Sequence, residues 1–137
     1  MDAKYRTTSL SAGLIIFEAL QEDEKVKALT TKIFPVVSEE GATLPYICYR
    51  RGGLDDVATK SVSGADTVQV DVMCYSADYA GGVRIAEAVR EALDGTQIHY
   101  TNEDGADLIA RSVRLVDSEE GWQDDAYVQA LTFSMKI

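Results

Sequence analysis

Residues 67–95 read Thr-Val-Gln-Val-Asp-Val-Met-Cys-Tyr-Ser-Ala-Asp-Tyr-Ala-Gly-Gly-Val-Arg-Ile-Ala-Glu-Ala-Val-Arg-Glu-Ala-Leu-Asp-Gly, and two hydrophobic periods follow one another in them. From Thr67 to Tyr75 the chain alternates. Val68, Val70, Val72 and Cys74 fall on one side, and Thr67, Gln69, Asp71, Met73 and Tyr75 on the other. Period two with one apolar side is a half-buried strand. Three residues later the period changes. Tyr79, Val83, Ala86, Val89 and Leu93 recur at helical spacing and make one apolar stripe. Ser76 or Asp78 can cap the start, and Asp94-Gly95 supplies a left-handed stop. The unit is a strand feeding a helix, and it contains no chemical motif.

Upstream, residues 1–8 are a polar leader. Ser9 or Ser11 can cap a first helix with Leu10, Leu14, Phe17 and Leu20 on one face, widened by Ile15, Ile16 and Ala19. Residues 21–25 are a solvated end, and residues 26–29 can add another turn. Residues 32–37 form a short apolar segment broken by Pro35, an edge strand or a strand end. Leu44-Pro45-Tyr46-Ile47-Cys48-Tyr49 is a strand opening at a proline and closed by Arg50 and Arg51. Residues 52–65 hold three glycines and few large apolar side chains, and are expected to form a long flexible loop.

Downstream, residues 96–100 are a short strand and residues 101–105 a turn. Residues 106–116 are a strand with Ile109, Val113 and Leu115 on one face, which Arg111 breaks. Residues 117–125 read as an acidic loop around Trp122. Residues 127–137 are the last strand, with Leu131, Phe133, Met135 and Ile137 on one side. Helices do not alternate strictly with strands, so the expected class is α+β. Its sheet is mainly antiparallel, and two amphipathic helices pack on one face. The whole chain, residues 1–137, is expected to be a single domain with the flexible loop at about 52–65.

Hydrophobic residues make up 46% of the 137 residues, enough for a real core. No apolar run approaches the roughly 18 residues of a membrane helix, and the first residues carry no signal-peptide core. Lys and Arg total 13 against 23 Asp and Glu, a formal charge of −10. That balance disfavours a phosphate-binding surface, so no sequence-specific nucleic-acid binding is expected. An acidic wall would instead let DNA pass without adhering. Cys48 and Cys74 read as buried, reduced thiols.

The sequence offers little to a chemist. His99 is the sole imidazole and lies in a short strand, so no nucleophilic triad can be assembled around it. No phosphate-cradling Gly-rich loop is present. Gly52-Gly53 and Gly81-Gly82 lack the flanking residues, and Gly81-Gly82 reads as a site of close helix–sheet packing. Asp117, Glu119, Glu120, Asp124 and Asp125 do not match the spacing of a calcium loop. No catalytic residue, cofactor or metal is expected. Trp122 is the only Trp and sits among charges, where it can anchor a partner or fold back on the rim of the core.

The combination of segments resembles the tail-completion (tail-terminator-like, head-tail joining) protein family of tailed bacteriophages and prophages. The matching parts begin with the opening helix through Leu20, Lys32-Ile33-Phe34-Pro35 and Leu44-Pro45-Tyr46-Ile47-Cys48-Tyr49. Val68-Gln69-Val70-Asp71-Val72-Met73-Cys74-Tyr75-Ser76 follows, then Tyr79-Ala80 with the helix to Leu93, and last Phe133-Ser134-Met135. The resemblance implies a structural protein that caps the head-proximal end of the tail tube as a ring, usually hexameric, and joins it to the head. It implies no active site. Its partners would be other copies of itself, tail-tube proteins and head-completion proteins. It would reside in the host cytoplasm during assembly and then in the virion tail.

A closed ring needs two different patches per subunit. The candidates are Arg50 and Arg51 at the strand end, Leu54, Val57 and Lys60 in the loop, and Trp122. The alternative functions are a small cytoplasmic α+β enzyme or ligand-binding domain of unknown substrate, and a monomeric adaptor.

Overall fold

The structure is a computed structural model that describes residues 9–55, 66–105 and 107–137. Its elements in chain order are α1 (Ala12–Glu22), α2 (Glu24–Leu29), β1 (Ile33–Pro35), β2 (Tyr46–Asp55), β3 (Thr67–Ser76), α3 (Tyr79–Leu93), β4 (Thr96–Thr101), β5 (Asp107–Gln123) and β6 (Ala126–Lys136). The strands form one sheet in the order β1-β2-β3-β6-β5-β4. Only β1 and β2 run parallel, and every other neighbouring pair is antiparallel. The class is α+β, as the sequence suggests.

β3 occupies the middle of the sheet, paired with β2 on one side and β6 on the other. Val68, Val70, Val72 and Cys74 are fully buried, as the alternation requires. In register with them stand Ile47 and Tyr49 of β2 and Leu131, Phe133 and Met135 of β6. α1 and α3 both touch β3 and each other, and α2 packs against both. Their buried side chains join the same core. The helices therefore share one face, although they number three, because Asp23 restarts the chain as α2. Its carboxylate accepts hydrogen bonds from Lys25 N and Val26 N at 3.0 Å each. Fully burying each Val, Leu or Phe of the core contributes about 1.5–3 kcal/mol.

α3 begins and ends where its sequence indicates. Asp78 caps it, accepting from Gly81 N at 3.0 Å, and Gly95 beyond its end has φ 77°. The glycine pair brings the start of α3 close to Ser76 of β3 and Gln129 of β6, as expected, and Gly81 has a second role. A Cβ on Gly81 would sit 2.6 Å from Asp78 Oδ1 and 2.8 Å from Ser76 Oγ, whereas one on Gly82 would make only an ordinary contact. Gly81 makes room both for the capping carboxylate and for the strand beneath it.

Several expectations are corrected. In α1 the buried residues are Ala12, Ile15, Ile16 and Leu20, while Leu10 and Leu14 are exposed. Two apolar stripes share this helix, and the one that includes Ile15 and Ile16 meets the sheet. In β5 the core takes Leu108, Ala110 and Val113 rather than an unbroken alternate set. Ser112 adopts φ 54°, and the pairing with β6 slips between Arg111 and Arg114, a bulge that reverses the facing of the residues after it. Residues 117–123, read as a loop, are the outer half of β5, paired to β6 as far as Gln123↔Ala126. Residues 52–55, read as part of a loop, extend β2 to Asp55 past a bulge between Arg51 and Leu54. The remainder of that expected loop, residues 56–65, lies outside the described residues.

Candidate functional site

The outer half of the β5–β6 hairpin presents the densest group of exposed aromatic side chains. Its turn is Asp124-Asp125, with φ 54° and 59°. Two positive φ values in a two-residue connection make a type I′ turn, which matches the twist of paired strands. The turn sets Trp122 directly across from Tyr127. Their rings meet edge to face with centroids 5.0 Å apart at 81°. Tyr127 in turn meets Tyr79, the first residue of α3, at 6.0 Å and 78°. Trp122 is 60% exposed, Tyr79 49% and Tyr127 37%. Trp122 thus packs on another exposed ring and not on the rim of the core.

Glu120 organises the base of this group. Tyr79 Oη donates to its Oε2 at 2.5 Å, and Gln129 Nε2 donates to the same oxygen at 2.8 Å. The hydrogen bond from Gln129, then that from Tyr79, holds the Glu120 carboxyl below the usual carboxylate range. The carboxylate reciprocally raises the Tyr79 phenol. Asp117 and Glu119 stand in register with Thr132 and Ala130, and Glu120 with Gln129. Strand alternation sends Glu120 to one face and Asp117 and Glu119 to the other. These carboxylates cannot converge on one cation. Among the described residues no group of three or more His, Cys, Asp or Glu could hold a metal ion.

Arg50 and Arg51 lie on the opposite flank of the sheet, both exposed. Arg50 Nε pairs with Asp71 Oδ2 at 3.2 Å, and Thr132 Oγ1 donates to Asp71 Oδ1 at 2.9 Å. The backbone of Leu54 pairs with Val68. Val57 and Lys60 lie outside the described residues. The structure therefore separates the arginines from Trp122, so the described candidates do not share one site. Tyr79 and Tyr127 were not singled out from the sequence as site residues, and Glu120 was weighed only among the acidic residues of a calcium loop. Tyr79 fits the helical core stripe, and Tyr127 fits the alternation of the last strand, so nothing marked either as exposed.

The remaining chemistry is sparse. His99 is exposed on β4. Cys48 and Cys74 are free and buried, and burial pushes the Cys74 thiol up to about 12. A groove of about 550 Å³, open to solvent, is lined by residues including Asp94, Gly95, Ser112 and Arg114. Its carboxylate is already engaged: Leu115 N donates to Asp94 Oδ1 at 2.9 Å and Arg90 Nε to Oδ2 at 3.2 Å. Among the described residues no helix is long and apolar enough to cross a membrane.

Comparison with known proteins places this arrangement. A family model described as tail completion protein gp17 matches residues 15–131. Of the 16 solved chains that match, one comes from a structure titled "Virion of native gene transfer agent (GTA) particle". It superposes with a TM-score of 0.71, covering 93% of this chain and 96% of that one at 16% identity. At that identity the likeness speaks for the fold alone. No curated protein matches this chain.

Proposed function

The chain belongs to the tail completion protein gp17 family, and from that premise we propose that it works as a ring of identical subunits. The ring, hexameric in this reading, seats on the head-proximal end of the tail tube and joins the tube to the head. The observation that carries the proposal is the family match over residues 15–131, nearly the whole chain. The architecture supports it. Among the described residues a sheet with helices on one face leaves the other face, both flanks and the hairpin end free for neighbours.

The protein acts by shape in this account, and makes or breaks no bond. Exposed rings at the hairpin end are the kind of side chain that anchors protein interfaces. The excess of acidic side chains, a formal charge of −10, suits a channel wall that DNA must traverse without adhering. The protein would fold in the host cytoplasm, meet tail-tube and head-completion proteins there, and remain in the virion. The gene transfer agent particle that contains the similar chain is itself a virion, which supports that placement.

Complementation tests the reading. Particles assembled without this chain should accumulate heads and tails that fail to join, and adding the purified full-length chain should restore joined particles. Normal joining in its absence would overturn the assignment.

A further inference from the structure

Among the described residues two strand edges stand open on opposite flanks of the sheet. On one flank, β1 covers β2 only from Ile47 to Tyr49. Among the described residues β2 then runs uncovered from Arg50 to Asp55. On the other flank, β4 covers β5 only from Asp107 to Val113. Gly95 N donates to Val113 O, and Leu115 N is taken by Asp94, so the open length of β5 is Val116 to Gln123. An unpaired edge of this kind presents backbone donors and acceptors to another strand.

The two edges complement each other in three respects. Their charges are opposite. Arg50, which also pairs with Asp71, and the exposed Arg51 outnumber Asp55 on the β2 edge, whereas the β5 edge carries the exposed Asp117 and Glu119 and no base from Val116 to Gln123. Their directions suit each other. The pairs β2–β3, β3–β6 and β6–β5 are each antiparallel, so β2 runs opposite to β5. A rotation about a ring axis would then lay them together in the antiparallel sense. Their positions are staggered. Arg50, Asp71, Thr132 and Asp117 share one row across the sheet, and the openings extend from that row in opposite directions. Such a stagger is what a sheet needs when it continues around a closed circle.

Two acidic edges repel. Antiparallel self-pairing over the open lengths would set Glu119 against Glu120 at two β5 edges, whereas at two β2 edges it would set Arg50 against Asp55. Symmetric pairing is therefore disfavoured at the β5 edge, whose acidic residues find bases only on the β2 edge of another copy, in a head-to-tail contact that can close on itself. We propose that copies of this chain join by antiparallel pairing of the β2 edge of one copy with the β5 edge of the next, basic side against acidic side. The inference rests on the ring reading and adds the joint.

Charge reversal tests it. One variant carries Arg50→Glu and Arg51→Glu, the other Asp117→Lys and Glu119→Lys. All four side chains are exposed, but Arg50→Glu loses the ion pair with Asp71 and sets two carboxylates across one strand pair, so that variant should melt somewhat below the parent and the lysine variant close to it, and both are assayed below their melting transitions. The full-length chains are incubated with tail tubes assembled without them, and bound copies per tube end are counted by mass. The parent chain should form a closed ring. Each variant alone should assemble about tenfold or more weakly, because it sets two like-charged pairs at every joint. An equimolar mixture of the two variants should assemble again, since each then offers the edge that the other lacks. A parent ring with both variants assembling normally, or a mixture no better than either variant, overturns the joint and leaves the ring standing. A parent chain that never forms a ring overturns both.

Discussion

β3 and the outer half of β5 are strands of one sheet and differ in almost everything else. In β3 alternate residues from Val68 to Cys74 are wholly buried, and both flanks are paired. In β5 every residue from Val116 to Gln123 is exposed, and among the described strands only β6 lies alongside. The first segment stabilises the molecule through burial. The second contributes little burial, yet it displays the aromatic rings, the carboxylates and an unpaired edge. Stability and contact thus reside in different strands, and substitutions should separate them.

The largest effect belongs to the core. Phe133→Ala, at a fully buried side chain in register with Val70, should lower unfolding free energy by about 3–5 kcal/mol in denaturant titration. A loss below about 1 kcal/mol would mean that the core is not packed around this ring. Next comes a pair of glycines. Gly81→Ala drives a methyl into the Asp78 cap and should cost about 1–2 kcal/mol. Gly121→Ala meets nothing within 4 Å and should change stability by no more than about 0.5 kcal/mol. Equal effects at the two glycines would erase the contrast between the regions.

Trp122→Ala sharpens the comparison further. Loss of the edge-to-face contact with Tyr127 should cost about 0.5–1 kcal/mol in a thermal melt, while attachment to tail tubes should fall strongly. A severe loss of stability with normal attachment would place Trp122 among the core residues. The turn offers a gain: Asp125→Gly, at φ 59°, should stabilise by about 0.5–1 kcal/mol because glycine adopts that conformation without strain.

The smallest effect depends on pH. The hydrogen bond from Leu115 N–H, followed by that from Arg90, holds the Asp94 carboxyl below its ordinary value near 3.8. A depressed carboxylate contributes stability above its ordinary value, and the contribution disappears as pH falls through the lowered one. Asp94→Asn should therefore flatten the stability profile below about pH 4 and leave its shape near neutrality unchanged. An unaltered acid limb would rule the contribution out.

The same contrast explains what could be read in the sequence. β3 was legible because one buried face imposes period two on its residues, and α3 because its cap and stop residues are the usual ones. The outer β5 was not legible. With neither face buried, nothing selects an apolar alternation from Asp117 to Gln123. Its turn is Asp-Asp, without the Asn-Gly signal of a type I′ hairpin. α1 misled for another reason, since two apolar stripes run along one short helix and only tertiary contact chooses between them. Residues 52–55 looked like a loop because glycine-rich backbone carries no face, although the ladder with β3 continues through it. Trp122 was legible as a lone Trp among charges. Tyr79 and Tyr127 were hidden by fitting core patterns whose ends happen to project beyond the core.

Electron cryomicroscopy of the head-proximal tail end tests the central claim most directly. The account predicts a closed ring of this fold around an open channel, with each subunit touching two neighbours through different flanks. A tail end bare of this chain, or bearing a single copy, would contradict it.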